Sequence, residues 1–268
     1  DAPPMGAHHW SLVIALGALA CTASTTADPP TASTHAAERS PAVEEILRRM
    51  SERYASAKTY RDDGTLHSKI GDARSVTRVR TLWIAPDQLA FEALREHDRY
   101  FDPTRILITS RGDSTRTLFL GRIREEPSLD DALYAMQGVS QGTTGLAPRW
   151  LLERGCRLSA RYVLDGQEPC GSSICFKLVG DLRGYTVTLD IDTTTFALRR
   201  YRSRGTLQLD EANARKRIEA MPSSLRAGRT DDALLESLTK PVDVEDDLVI
   251  APVFDAPITP ADLDQLAP

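Results

Sequence analysis

The chain has 268 residues, of which 41% are hydrophobic and 26% charged, and its formal net charge at pH 7 is −5. This balance excludes a wholly disordered chain, because disorder requires fewer apolar residues and a larger net charge. The 16 Gly and 16 Pro follow no fixed period, which excludes a collagen-like chain. A pI near 5.6 argues against a general nucleic-acid-binding protein, since such proteins carry basic surfaces.

The N-terminal segment has the pattern of an export signal. Residues 10–20 carry no charge and end in small side chains, which is typical of the apolar part of a secretory signal. The run is too short to span a bilayer, which needs about 20 apolar residues. We therefore predict a signal peptide over residues 1–20, with Met5 as the natural start.

The end of this run resembles a bacterial lipobox. Residues 17–21 read Gly-Ala-Leu-Ala-Cys, and the resemblance implies lipid attachment at Cys21 and a membrane anchor. Residues 21–40 are rich in Thr, Ala, Ser and Pro, which predicts a flexible tether. The alternative is an ordinary signal peptide with an incidental cysteine.

Further cysteines stand at Cys156, Cys170 and Cys175, and all of them are disulfide candidates in an exported protein. Cys170 and Cys175 flank a short loop and could join the tip of a hairpin. A bond between Cys156 and Cys170 is an open alternative. We expect no metal site, because no His lies close to these cysteines in the sequence.

The folded part opens with a helix and continues as strands. Ser40 and Pro41 favour a helix start, and apolar residues then recur at helical spacing from Val43 to Tyr54. Short apolar runs separated by turn residues predict an antiparallel meander. Its strands are expected near residues 59–70, 76–84, 89–94, 105–109 and 115–120.

The second half alternates helices and strands. We predict helices over residues 128–136 and 148–153, with a mobile loop at 137–146 between them, because that loop is rich in Gly, Ser and Thr. Further strands are expected at residues 158–164, 174–179, 185–191 and 196–202, helices at 210–220 and 231–238, and a last strand at 248–254 before a Pro-rich tail. Residues 41–268 then form one domain with a helical insertion near 209–240.

The sequence contains no pattern that predicts an enzyme. It has no Gly-x-Ser-x-Gly elbow, Walker loop or His-Glu-x-x-His motif, and its His67 and His97 fit surface positions. Carboxylates do occur in adjacent pairs such as Asp62-Asp63 and Asp246-Asp247. Neighbouring residues point in different directions, so these pairs are interpreted as solvated charges rather than as acid/base sites. We expect no catalytic residue, cofactor or metal.

Several strands are apolar on both faces, which needs an explanation. Either helices cover the second face, or a curved sheet holds an apolar ligand.

The order of these elements resembles the LolA/LolB-like periplasmic lipoprotein-carrier superfamily, which includes outer-membrane lipoprotein-sorting proteins. The resemblance covers about residues 42–205 and rests on strand-turn-strand patterns. These are Ile46–Tyr54 running into Tyr60–Gly64, Leu82–Pro86 followed by Leu89–Glu92, and Thr188–Asp192 followed by Phe196–Arg200. The resemblance implies an α+β fold. Its antiparallel sheet would be strongly curved into a half-open barrel, and helices would cover the concave face of that sheet.

The resemblance also implies a function. A non-enzymatic lipoprotein, anchored to the envelope of a Gram-negative bacterium and more plausibly to its outer membrane, would bind acyl chains in the half-barrel and act in lipid or lipoprotein transport or sorting. The first helix and residues 128–153 would form a lid over the cavity. The expected ligand contacts are Trp83, Phe91, Ile108, Leu118 and Leu120 from the sheet, with Leu133 and Met136 from this lid. The alternative is an envelope-stress sensor or interaction module that binds a protein partner. Two features depart from the carriers, namely the anchor at Cys21 and the helical insertion.

Overall fold

The computed structural model of the chain describes residues 41–96, 104–152, 161–182, 184–219, 221 and 230–266. The predicted signal peptide, Cys21, the tether and Cys156 lie outside these residues. The helices are α1 (Pro41–Ala55), α2 (Leu129–Met136), α3 (Ala147–Leu151), α4 (Glu211–Glu219), α5 (Asp231–Thr239) and α6 (Pro260–Asp264). The strands are β1 (Thr59–Ile70), β2 (Ala73–Ile84), β3 (Gln88–Arg95), β4 (Thr104–Arg111), β5 (Ser114–Phe119), β6 (Arg122–Glu126), β7 (Arg161–Cys170), β8 (Ser173–Leu182), β9 (Tyr185–Asp192), β10 (Leu198–Leu207), β11 (Val242–Ile250) and β12 (Val253–Phe254).

The strands form one 12-stranded sheet with antiparallel neighbours throughout. Their order is β6-β5-β4-β3-β2-β1-β11-β10-β9-β8-β7, and β12 pairs with β1 beyond the end of β11. Two meanders, β1 to β6 and β7 to β10, are therefore joined by β11, which lies between β1 and β10. The predicted α+β class with a large antiparallel sheet is confirmed.

Helix α1 follows the predicted apolar period. Its side chains Val43, Ile46, Met50 and Tyr54 are at most 5% exposed, and they pack into the main core. The opposite side of α1 is polar and carries exposed ion pairs, such as Arg48 with Glu45 and Glu52. Burial of one face, rather than intrinsic helix propensity, is what stabilises such a helix.

The part of the sheet formed by β2, β3 and β4 is covered on both faces. We call the face covered by α1, α2 and α3 the inner face, and the opposite one the outer face. On the outer face, Leu82, Ala90 and Leu107 pack against Leu263 and Leu266 from the C-terminal segment. Strands that are apolar on both faces are thus explained, because helices lie on both sides of them.

Some predicted boundaries are wrong for identifiable reasons. Strand β11 begins at Val242 rather than at residue 248, because its acidic residues pair with serines and arginines of neighbouring strands instead of following apolar alternation. Strand β6 was not predicted at all, since it is a short, exposed edge strand. The Pro-rich tail contains α6, which has Pro260 near its start and a capping box between Thr259 and Asp262.

The helices predicted at residues 210–220 and 231–238, within the expected insertion, are present as α4 and α5. These helices pack against each other through a small separate core of Ala214, Ile218, Met221, Leu234 and Leu238. The insertion therefore stabilises itself by its own apolar contacts, and it leaves the inner face to the other helices.

Candidate functional site

The candidate site is the apolar contact region between the inner face and a helical cover, which we define as α1 together with residues 128–152. Five predicted ligand contacts lie in it, and each is at most 7% exposed. They are Trp83, Phe91 and Ile108 from the sheet, with Leu133 and Met136 from α2. Phe91 and Ile108 are direct cross-strand partners. The structure thus brings these five side chains into one core.

The other two predicted contacts, Leu118 and Leu120, lie outside this core. Grouping them with the other five is therefore wrong. Leu118 faces outward and packs against the outer-face cluster. Leu120 follows β5 in a turn, with φ of 51° and 60% exposure. Alternation along β5 gives the inner-face position to Phe119, which lies opposite Ile106 and packs against the main core. The sequence signal for this register was the regular alternation of Thr115, Thr117 and Phe119.

The loop at residues 137–146, which the composition predicts to be mobile, is packed against the sheet. Ser140, Thr143 and Thr144 are at most 4% exposed. The Thr144 hydroxyl donates to the Leu133 carbonyl oxygen at 3.1 Å, and the Thr143 hydroxyl donates to the Ser140 carbonyl oxygen at 2.8 Å. Small polar side chains here satisfy the backbone of their own loop, so their abundance does not signal exposure.

Few hydrogen bonds tie this loop to the sheet. Arg95 donates from Nη2 to the Val139 carbonyl oxygen at 3.0 Å. The Gln141 side chain accepts from the Thr77 hydroxyl at 3.3 Å and donates to the Ser75 hydroxyl at 3.4 Å. The rest of the cover meets the sheet mainly through apolar side chains.

Two buried donors in this region have no hydrogen-bond partner among the described residues. They are Nε1 of Trp83 and Nε2 of Gln137, whose residues are at most 3% exposed. A buried donor without an acceptor costs about 1–3 kcal/mol. A ligand with an ester or carboxyl oxygen would offset that cost. The largely apolar region therefore contains two hydrogen-bond donors that such an oxygen could accept from.

A buried hydrogen-bonded chain connects α1 to the sheet. Tyr54 Oη accepts from the Leu198 N–H at 3.3 Å, and Tyr60 Oη donates to Asp62 Oδ2 at 2.6 Å. The Thr81 N–H donates to Asp62 Oδ1 at 2.9 Å. Burial raises the pKa of Asp62 to about 6 in spite of these bonds. The prediction that Asp62 is a solvated charge is therefore wrong, and its burial gives it a structural role.

A shallow groove of about 410 Å³ lies on the outer face, near the middle of the sheet. Its charged side chains are already engaged with each other or with neighbours. Arg80 pairs with Asp63 at 2.8 Å, and Glu92 pairs with Arg105 at 2.6 Å. Exposed ion pairs of this kind are typical of a solvated surface.

Within the described ranges, no cluster of His, Cys, Asp or Glu side chains is placed to bind a metal ion. Of the candidate disulfides, the bond between Cys170 and Cys175 is present and joins β7 to β8. None of the described helices combines the length and the apolarity that crossing a bilayer requires.

No protein-family model and no curated protein sequence matches the chain. Solved structures do match it. The MucA/MucB complex of Pseudomonas aeruginosa matches with 11% identity and a TM-score of 0.41, over 83% of this chain and 60% of the other. LprF from Mycobacterium bovis matches with 12% identity and a TM-score of 0.38, over 82% and 96% of the two chains.

A domain assigned as an outer membrane lipoprotein-sorting protein from Vibrio parahaemolyticus also matches, with 11% identity and a TM-score of 0.32, over 82% of this chain and 95% of the other. With identities of 11–12% and TM-scores below 0.5, these likenesses assign the chain neither a family nor a function.

Proposed function

We propose that this protein binds acyl chains, of a lipid or of a lipidated protein, between the inner face and the helical cover. It would act without covalent chemistry, in lipid or lipoprotein transport or sorting in the cell envelope. The observation that carries the proposal is the common burial of Trp83, Phe91, Ile108, Leu133 and Met136 beneath helices that are held largely by apolar contacts. Such contacts can be exchanged for an acyl chain with little loss of free energy.

Movement of residues 128–152 would open the site. Its displacement would break the hydrogen bonds that Arg95 and Gln141 form between this segment and the sheet. Each methylene of an entering chain gains about 0.8 kcal/mol on burial. A long acyl chain therefore compensates for the apolar contacts that the cover gives up.

The half-open barrel belongs to the same proposal. Glycines inside strands are found where a sheet bends sharply, and two of them here lie beneath tyrosine rings. A Cβ on Gly180 would stand 2.9 Å from the Tyr162 ring, and one on Gly205 would stand 2.6 Å from the Tyr185 ring. Both positions support a sheet that curls around the inner face.

Binding can be tested with a fluorescent fatty acid and a matched pair of variants in α2. Met136→Glu places a charge in the buried cluster, whereas Tyr134→Glu places one on the solvent side, where Tyr134 is 65% exposed. We expect binding at least tenfold weaker for Met136→Glu and within twofold of wild type for Tyr134→Glu. Circular dichroism checks that both variants fold. Absence of fatty-acid binding by wild type, and of co-purified lipid in native mass spectrometry, would refute the proposal.

A lipid anchor at Cys21 is the second part of the proposal, which holds the protein at the periplasmic face of an envelope membrane and favours the outer membrane over the inner one. Cys21→Ser should release the protein from membranes into the soluble periplasmic fraction. Cys156→Ser is the matched control, because it removes a cysteine from the body of the chain and should leave membrane association intact. Membrane association that survives Cys21→Ser would contradict the anchor.

A second candidate function, a protein-interaction or stress-sensing module, is favoured by the sheet edge at β6. Among the described strands, β6 pairs only with β5, and the exposed apolar residues Leu120, Ile123 and Tyr134 lie on or near it. An open edge can accept a further strand from a partner. If this second function is the true one, a photo-crosslinker at position 120 should capture an envelope protein, and Ile123→Glu should abolish that capture. Wild type should then fail to bind fatty acids.

A further inference from the structure

The inner face contains one carboxylate that the acyl-chain site does not explain. Asp246 lies on β11 between Val244 and Leu248, which share its face and are at most 2% exposed. It accepts hydrogen bonds from the Ser68 hydroxyl at 2.5 Å and from the Ser203 hydroxyl at 3.4 Å. The three residues form one row across β10, β11 and β1. A polar row thus lies between apolar residues of the inner face.

Among the described residues, Asp246 forms no ion pair. Across the described part of the chain, no Lys, Arg or His lies within ion-pairing distance of it. Its neighbour Asp247, on the outer face, forms two bonds with Arg200 at 2.6 and 2.7 Å. Burial raises the pKa of Asp246, and the serine hydroxyls offset this only in part. The buried Asp62 differs, because it is shielded completely, whereas Asp246 is half-buried and reachable.

A second unsatisfied group lies beside Asp246. The Tyr185 hydroxyl is buried without a hydrogen-bond partner among the described residues, and Tyr185 as a whole is 7% exposed. The Tyr185 ring lies over Gly205 on β10, and Gly205 pairs with Val244 on β11, two residues from Asp246 on the same face. Burial raises the pKa of Tyr185, and the charge of Asp246 adds to that rise. The ring of Tyr185 is fixed over Gly205, where a Cβ would meet it at 2.6 Å. The site therefore offers a carboxylate and a phenolic oxygen on a rigid aromatic support.

We propose that Asp246 and Tyr185 bind the primary ammonium group at the polar end of an amphiphile whose chain lies along the inner face. This inference rests on the proposed function, since it names the headgroup of the same ligand. An ammonium carries three N–H donors, and the carboxylate and the phenolic oxygen are acceptors for it. A charge-assisted bond to a carboxylate in partly desolvated surroundings is stronger than a neutral one. An aromatic ring nearby adds attraction for a cation.

The test compares amphiphiles with the same chain and different polar ends. Dodecylamine, dodecanol and dodecanoate compete with a bound fluorescent fatty acid on wild type, Asp246→Asn, Tyr185→Phe and the control Asp247→Asn. We expect dodecylamine to bind at least tenfold more weakly to Asp246→Asn and about threefold more weakly to Tyr185→Phe, which keeps the ring over Gly205. Dodecanol should change less than twofold in every variant, and Asp247→Asn should behave as wild type.

A second set of binding measurements, with lysophospholipids, identifies the source of the ammonium group. If it comes from a phospholipid, lysophosphatidylethanolamine should lose affinity for Asp246→Asn as dodecylamine does, while lysophosphatidylglycerol should not. If only dodecylamine responds, the ammonium belongs to another class of amphiphile. Equal binding of dodecylamine by wild type and Asp246→Asn would overturn the headgroup site while leaving the acyl-chain site standing. Failure of every dodecyl compound to bind wild type would instead overturn the proposed function.

Discussion

Replacing Asp62 by Asn should remove a pH dependence that this buried carboxyl imposes on the stability of the protein. Burial raises its pKa from 3.8 to about 6 in the folded state. A carboxyl with a raised pKa binds more protons in the folded state than in the unfolded one. The free energy of unfolding that it contributes is therefore greatest at low pH, and it falls as the pH rises from near 3.8 to above about 6.

The expected size follows from those two pKa values. At pH 7.5 the ionised carboxylate costs the folded state about 3 kcal/mol, and at pH 4.5 about 1 kcal/mol. Between pH 4.5 and pH 7.5, the free energy of unfolding of wild type should therefore fall by about 2 kcal/mol more than that of Asp62→Asn. The asparagine keeps an acceptor for the Thr81 N–H, and any cost of the altered bond to Tyr60 is common to both pH values. The comparison therefore isolates the ionisation.

Urea unfolding followed by tryptophan fluorescence at the two pH values measures this difference. Asp63→Asn is the matched control, because Asp63 is the next residue on β1 but faces solvent and pairs with Arg80. The free energy of unfolding of this control should fall as the pH rises, by the same amount as that of wild type. The reasoning is refuted if Asp62→Asn shows the same pH dependence as wild type, or if the control shows the change instead.

Other regions give equally direct tests. Gly205→Ala should lower the free energy of unfolding by about 1–3 kcal/mol, because its Cβ would meet the Tyr185 ring; a Tyr185→Ala background should relieve this in urea titrations. Replacing Cys170 and Cys175 by Ser opens a short loop and should cost about 2 kcal/mol in thermal unfolding; a reductant that still destabilises the double variant would contradict it. Gln141→Ala removes the hydrogen bonds to Thr77 and Ser75 and should speed amide exchange of residues 137–146 by about fivefold or more, since one neutral hydrogen bond contributes about 1 kcal/mol; unchanged exchange would mean that contacts within the loop hold it in place.

Elements with one buried and one wet face could be predicted from the sequence. Helix α1 is confirmed with one buried face, and the strand predicted at residues 185–191 is present as β9, although its Asp190 is buried in an ion pair with Arg202. Strand β11 could not be recognised, because its inward Asp246 and outward Asp247 are satisfied by partners far away in the sequence. The edge strand β6 buries too little to leave an apolar pattern. Prediction therefore failed where side-chain partners, rather than periodicity, determine the structure.

The candidate site was partly predictable for the same reason. Trp83, Phe91 and Ile108 are apolar, lie in strong strands and fall on the inner face. Leu118 is just as apolar, but only the register of β5 decides that it faces outward. Asp246 looked like half of a solvated acidic pair. Which member of such a pair points inward depends on strand register, and a single sequence does not specify that register.

The position of β11 affects how the protein can be synthesised. This strand fills the gap between the two meanders, and the hydrogen bond from Ser68 to Asp246 spans 178 residues of sequence. A chain that leaves the ribosome from its N-terminus must therefore expose the unpaired side of β1 until nearly all of it has been made. Non-local strand pairing of this kind folds slowly, and an open edge invites association with other chains. One edge of β1 therefore stays unpaired until residues 242–250 are available to pair with it.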